Sequence, residues 1–140
     1  MNGLMNILFA HRSNQHRARS GFTLIELLVV MAIIATLLTI AVPRYFASVE
    51  RSKEAVLKEN LRVMRDAIDK YYADNGRYPE TIEVLATRRY VRAVPMDPIT
   101  DSASTWVTLP PPENTVPGGV YDIHSGAPGN ANDGTPYGQL

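Results

Sequence analysis

Two stretches carry residue types whose spacing could do chemistry. The first is Gly21-Phe22-Thr23-Leu24-Ile25-Glu26, an acid four residues beyond a glycine–phenylalanine bond, with the apolar run Leu27 to Val42 behind it. An ionised carboxylate inside hydrocarbon costs at least a few kcal/mol, and such groups usually have partners. Cutting the Gly21–Phe22 bond would place a new α-amine four residues from Glu26. An amine of that kind has a pKa near ~8 and is largely cationic at neutral pH. In a helical assembly one subunit's Glu26 could then meet a neighbour's Phe22 amine; the bland alternative leaves Glu26 solvated at headgroup depth. The second stretch, Ser125 to Thr135, is rich in hydroxyl, amide and carboxylate oxygens. Calcium takes six to eight such oxygens, so a calcium loop is one reading. The spacing is not that of an EF-hand, and a plain surface turn is the other reading.

Other chemistry is absent from the sequence. There is no G-x-S-x-G, H-E-x-x-H or G-x-x-x-x-G-K-[ST] pattern, and no cysteine, which removes thiol catalysis, cysteine-ligated zinc and disulfides. The histidines are His11, His16 and His124, scattered rather than clustered. Arg88, Arg89 and Arg92 form a small basic group expected to pair with neighbouring acids. Net charge is zero over the 140 residues, which gives no support to nucleic-acid binding. An enzyme reading has nothing to stand on.

The elements that must position these residues follow from patterning. Residues 1–21 hold Arg12, Arg17 and Arg19 and no acid; residues 22–140 hold eleven basic side chains against fourteen acidic. A basic segment before an apolar run stays in the cytoplasm by the positive-inside rule. Phe22 to Val42, 21 residues, spans roughly 30 Å as a helix, enough for a bilayer core. A secretory signal peptide has a shorter apolar core with a small-x-small cleavage site after it; here the glycine precedes the apolar run, so a cut at Gly21 leaves the helix on the mature chain. Pro43 should bend or loosen the helix. Beyond it Tyr45, Val49, Val56, Leu57, Leu61, Met64, Ile68, Tyr71 and Tyr72 make one face of an amphipathic helix. Glu50, Lys53, Glu54, Lys58, Arg62, Arg65 and their neighbours read as a solvated face, with Glu54/Lys58 and Asp66/Lys70 in the acid-first i,i+4 order. Asn75 or Gly76 should cap it.

From Gly76 onward there are sixteen prolines and glycines, the composition of short elements joined by turns. Pro79 to Ala86 reads as a short helix with proline in its first turn. Tyr90-Val91 and Val94 to Pro98 read as an extended segment against the long helix. Trp106 to Leu109 and Gly119 to Ile123 read as strands, separated by Pro110-Pro111-Pro112 and Pro117-Gly118. Strands this short need the helix to complete a core. The expected class is α+β, a long N-terminal helix whose distal half packs against a small antiparallel sheet and loops. The expected division is a leader at 1–21, an apolar helix at 22–43, an amphipathic helix at 44–75 and a turn-rich sheet at 76–140.

The basic leader, Gly21-Phe22-Thr23-Leu24-Ile25-Glu26 and the apolar run resemble the type IV prepilin cleavage and methylation motif. Arg77-Tyr78-Pro79, Tyr90-Val91…Val94-Pro95-Met96-Asp97-Pro98 and Gly119-Val120-Tyr121-Asp122-Ile123-His124-Ser125-Gly126 resemble the major pseudopilin of type II secretion systems. The resemblance implies a type IV pilin-like fold, cleavage between Gly21 and Phe22 by a prepilin peptidase, N-methylation of Phe22 and assembly through Glu26. It implies a single-pass protein of the bacterial inner membrane, N-terminus cytoplasmic, C-terminal domain periplasmic, polymerising into a periplasmic filament. Its implied partners are further copies of itself, minor pseudopilins, and an inner-membrane platform with its secretion ATPase. It also implies a calcium loop, for which Ser125, Asn130, Asn132 and Asp133 are the candidate ligands. The family's usual aspartate shortly after the serine is absent, and its proline-tryptophan-glycine step is Pro98-Ile99-Thr100 here. The alternatives are a type IV pilin for adhesion or motility and a single-span anchor carrying a periplasmic binding domain.

Overall fold

The computed structural model describes residues 21–112 and 119–140. The leader up to Ser20 and the Pro117-Gly118 turn lie outside the described residues. Good helix formers without glycine make one helix, α1, from Leu24 to Asn75, with Pro43 inside it. Thr23 opens the helix: its carbonyl accepts the Leu27 N–H at 3.2 Å and its hydroxyl accepts the Glu26 N–H at 3.2 Å. Gly76, at φ +64°, closes it in the left-handed conformation that glycine adopts without strain, donating to Tyr72 O at 2.8 Å.

The chain divides into two units, Met1–Thr39 and Ile40–Leu140. In the first, every apolar side chain from Leu24 to Leu38 is exposed. Thr36 and Thr39 turn their hydroxyls inward to Ala32 O and Ala35 O, each at 2.8 Å. Their polar groups are therefore satisfied within the helix, as a hydrocarbon solvent demands.

In the second unit the stripe Leu57, Leu61, Met64, Ala67, Ile68 and Tyr71 of α1 is buried. It meets Ile82 and Leu85 of α2 (Ile82–Thr87), Trp106 of strand β1 (Trp106–Leu109), Val120, and Ile123 of strand β2 (Asp122–Ser125). The two strands pair antiparallel, Trp106 opposite Ser125 and Leu109 opposite Asp122. A single turn of 3₁₀ helix follows at Tyr137–Gln139. This is the expected α+β, pilin-like arrangement: a long N-terminal helix with a small antiparallel sheet packed on its distal stripe.

Local expectations shift in several places. Val56, placed on the apolar face from sequence, is 49 % exposed, and Tyr45 is exposed as well. A 100° step per residue puts Val56 beside Leu57 rather than under the sheet. Pro79 lies ahead of α2, not in its first turn, because the extended Thr81 (φ −143°, ψ 164°) is the N-cap. The Pro79 carbonyl instead accepts the N–H groups of Gly119 and Val120 at 3.2 and 2.9 Å. That diversion starts β2 at Asp122 rather than Gly119. Val94–Met96 does not become a strand; it is held when Asn60 Nδ2 donates to Met96 O at 2.9 Å and Trp106 Nε1 to Pro95 O at 2.8 Å.

Candidate functional site

The N-terminal site begins with three non-helical residues. Gly21 and Phe22 are exposed, Phe22 at 87 %, and no atom outside the adjoining residues comes within 4 Å of where a Gly21 Cβ would be. A peptide bond in such a segment is open to a protease. Glu26 stands in the first turn of α1, where a negative charge faces the positive end of the helix dipole. Thr23-x-x-Glu26 has the form of a capping box. Its Thr23 half is made, with the Glu26 N–H donating to the Thr23 hydroxyl at 3.2 Å. Among the described residues the Glu26 carboxylate has no side-chain partner, and it is the sole acid in the exposed apolar stretch. A contiguous apolar surface of this extent on one chain marks an interaction or membrane surface.

The second site is on the C-terminal loop, and its candidate ligands face different partners. Ser125 is buried; its hydroxyl donates to Asp97 Oδ2 and accepts the Ala127 N–H at 3.0 Å. Asp97 is itself fully buried and accepts the N–H of Ile99 at 2.8 Å, so this pair braces the turn after Pro95 against β2. Asn130 forms an isolated bridge with Pro136. Asn132 and Asp133 reach α1: Asn132 donates both its backbone N–H and its Nδ2 to Glu54 Oε2, at 2.9 and 2.7 Å. Asp133 Oδ2 lies 3.6 Å from Lys58 Nζ, which also donates to Glu54 Oε1 at 2.9 Å.

The donor set as it stands does not fit a divalent ion. Ser125 is committed to Asp97, and an ammonium already sits against the carboxylates of Glu54 and Asp133. Among the described residues no three histidine or carboxylate groups converge as metal ligands. The same contacts set the electrostatics of the loop. The Asn132 N–H, then Lys58, holds the Glu54 carboxyl below its ordinary value, and the Thr135 N–H does the same for Asp133. Glu54 in turn raises the Lys58 ammonium.

The charged face of α1 is not uniformly solvated. Glu54 is buried beneath the loop rather than solvated. Arg65 also crosses to β2, donating to Asp122 Oδ1 at 2.7 Å and to the carbonyls of Ile123 and Leu140. A cleft of about 500 Å³ lies there, between Arg65, Tyr121 and His124, but Arg65 and Asp122 neutralise one another in it. Asp66 pairs with Arg62 at 3.1 Å rather than with Lys70 among the described residues. Arg88, Arg89 and Arg92 are exposed and form no ion pair among the described residues.

Comparison with known proteins decides the family. The prokaryotic N-terminal methylation motif matches residues 16–42. The chain is 32 % identical to the type II secretion system core protein G of Pseudomonas aeruginosa, over 60 % of this chain and 70 % of that one. It is 30 % identical to the protein of the same name from Klebsiella pneumoniae, over 83 % of this chain and 86 % of that one. The chain belongs to the core protein G family, the major pseudopilins. A shorter match, 40 % identity over 60 residues and 27 % of the relative, links it to the type IV major pilin protein PilA of Myxococcus xanthus. No solved structure matches significantly. For a pseudopilin the exposed helix reads directly: among the described residues one helix is long and apolar enough to cross a membrane, and it lies near the N-terminus.

Proposed function

We propose that this pseudopilin is the repeating structural subunit of a type II secretion pseudopilus. It polymerises through its N-terminal helix, and the growing filament drives protein export across the outer membrane. The single observation that carries this is the Glu26 carboxylate, without a side-chain partner among the described residues, in an exposed apolar helix of a chain whose relatives over most of its length are core protein G. A prepilin peptidase cuts the Gly21–Phe22 bond on the cytoplasmic side, and Phe22 is then N-methylated. The new amine of one subunit neutralises Glu26 of the next when the helices leave the lipid. An opposite charge is the compensation a carboxylate at that depth requires. The subunit waits in the inner membrane as a single span, its C-terminal domain periplasmic. It works with minor pseudopilins and an inner-membrane platform powered by a secretion ATPase. The role is structural rather than enzymatic.

The test is secretion in a strain lacking the gene, complemented with the intact chain, together with N-terminal sequencing of the mature protein. Export that fails without the gene and returns with it, and a mature N-terminus at methylated Phe22, support the proposal; unchanged export or an intact Gly21–Phe22 bond would overturn it. The Myxococcus pilin match favours a second reading as a type IV pilin, which surface filaments and lost motility without any export defect would establish.

A further inference from the structure

Glu54 is an unusual acid for the outer side of a helix. Its side chain is only 9 % exposed, against 46 % for Lys58 and 54 % for Asp133. A buried carboxylate is tolerated only when both its charge and its lone pairs are answered. Here one oxygen takes two N–H groups from Asn132, and the other takes the ammonium. The same ammonium faces Asp133, whose second oxygen holds the Thr135 N–H at 2.9 Å. The loop between is a closed turn: Ala131 donates to Thr135 O, Gly134 donates back to Ala131 O, and Ala131 is buried beneath. Helix and loop, seventy-eight residues apart from Glu54 to Asn132, are thus joined around one positive charge.

We propose that Lys58 is a tethered cation that closes the Ala131–Thr135 loop onto α1, in the position a free metal ion would have to occupy to bridge Glu54 and Asp133. The wild-type subunit then folds without calcium. Removal of the ammonium leaves two carboxylates and the Asn132 side chain around an uncompensated charge, and this cluster gains a response to added divalent cation. A lysine serves here because its point charge sits on a flexible stem four residues beyond Glu54, in the acid-first order that brings the pair together.

The experiment is thermal unfolding of the full chain in detergent, followed through Trp106, the one tryptophan, which lies in the core of the second unit. Wild type and Lys58→Met are each melted in chelator and in millimolar calcium chloride. The proposal expects the same wild-type midpoint in both media. It expects a midpoint several degrees lower for Lys58→Met in chelator, partly restored by calcium in a saturable way. Three results would overturn it: a wild-type midpoint that falls on chelation, a variant as stable as wild type in chelator, or a weakened variant that calcium does not restore. If Lys58→Met fails to fold in chelator, refolding it in calcium replaces the melt, and failure there also counts against the proposal. The wild-type comparison stands whatever the variant does.

Discussion

Replacing Leu57 with alanine, and separately Val56 with alanine, separates the buried stripe of α1 from the surface beside it. Leu57 is fully buried in the core and Val56 is 49 % exposed. Truncating a leucine in a packed core costs about 3 kcal/mol, because the lost transfer energy is joined by the cavity left behind. A domain of this size loses about 4–8 °C of melting temperature per kcal/mol, so Leu57→Ala should lower the midpoint by about 12–24 °C. Val56→Ala removes two methyl-sized groups worth ~0.8 kcal/mol each when buried, and half of that is already in solvent. Alanine's better helix propensity returns about half a kcal/mol. The net cost is a few tenths of a kcal/mol, a shift of about 2 °C at most. Melting of the full chain in detergent, read by Trp106 fluorescence, compares the two. Equal losses would refute the assigned face of α1, and with it the packing that brings Glu54 under the loop.

Acid should weaken the second unit. Glu54, Asp122 and Asp133 all titrate below their ordinary values, Asp122 because the Ile123 N–H and Arg65 outweigh its burial. A carboxyl lowered in the folded state contributes stability that is present above its ordinary value, 4.5 for Glu54 and 3.8 for the aspartates, and lost as pH falls through the folded value. The midpoint should therefore hold from pH 8 to about pH 5 and drop toward pH 3; a flat profile down to pH 3 would contradict the three pairings. Gly126→Ala should destabilise by about 2 kcal/mol, because its Cβ would run into the Thr105 carbonyl, whereas Gly138→Ala meets only an ordinary contact at 3.7 Å and should be mild. Matching melts for the two variants would contradict the close approach at Gly126.

The long helix and its apolar leading part were legible in the sequence because period and composition are local signals. So was the helix stop at Gly76, which needs only a residue able to take a positive φ. What was not legible depended on residues distant in the chain. Glu54 reads as a surface acid until the loop of Asn132 covers it, and no period in α1 foretells that cover. Arg65 reads the same way until β2 brings Asp122 within 2.7 Å. Strand β2 starts at Asp122 because Gly119 and Val120 donate to Pro79 O, a long-range demand that overrides their strand-like composition. At the loop, residue types alone suggest ligands for a cation, but the sequence holds no sign that Lys58 of α1 lies against Asp133.

The central claim, assembly through the N-terminal helix, is tested most directly by Glu26→Ala. The substitution removes the one carboxylate of the exposed apolar stretch and leaves the helix that inserts in the membrane. Membrane fractionation and electron microscopy of sheared filaments are read side by side. A normal amount of processed Glu26→Ala subunit in the membrane and no filaments are expected; filaments at the wild-type level would contradict assembly through Glu26.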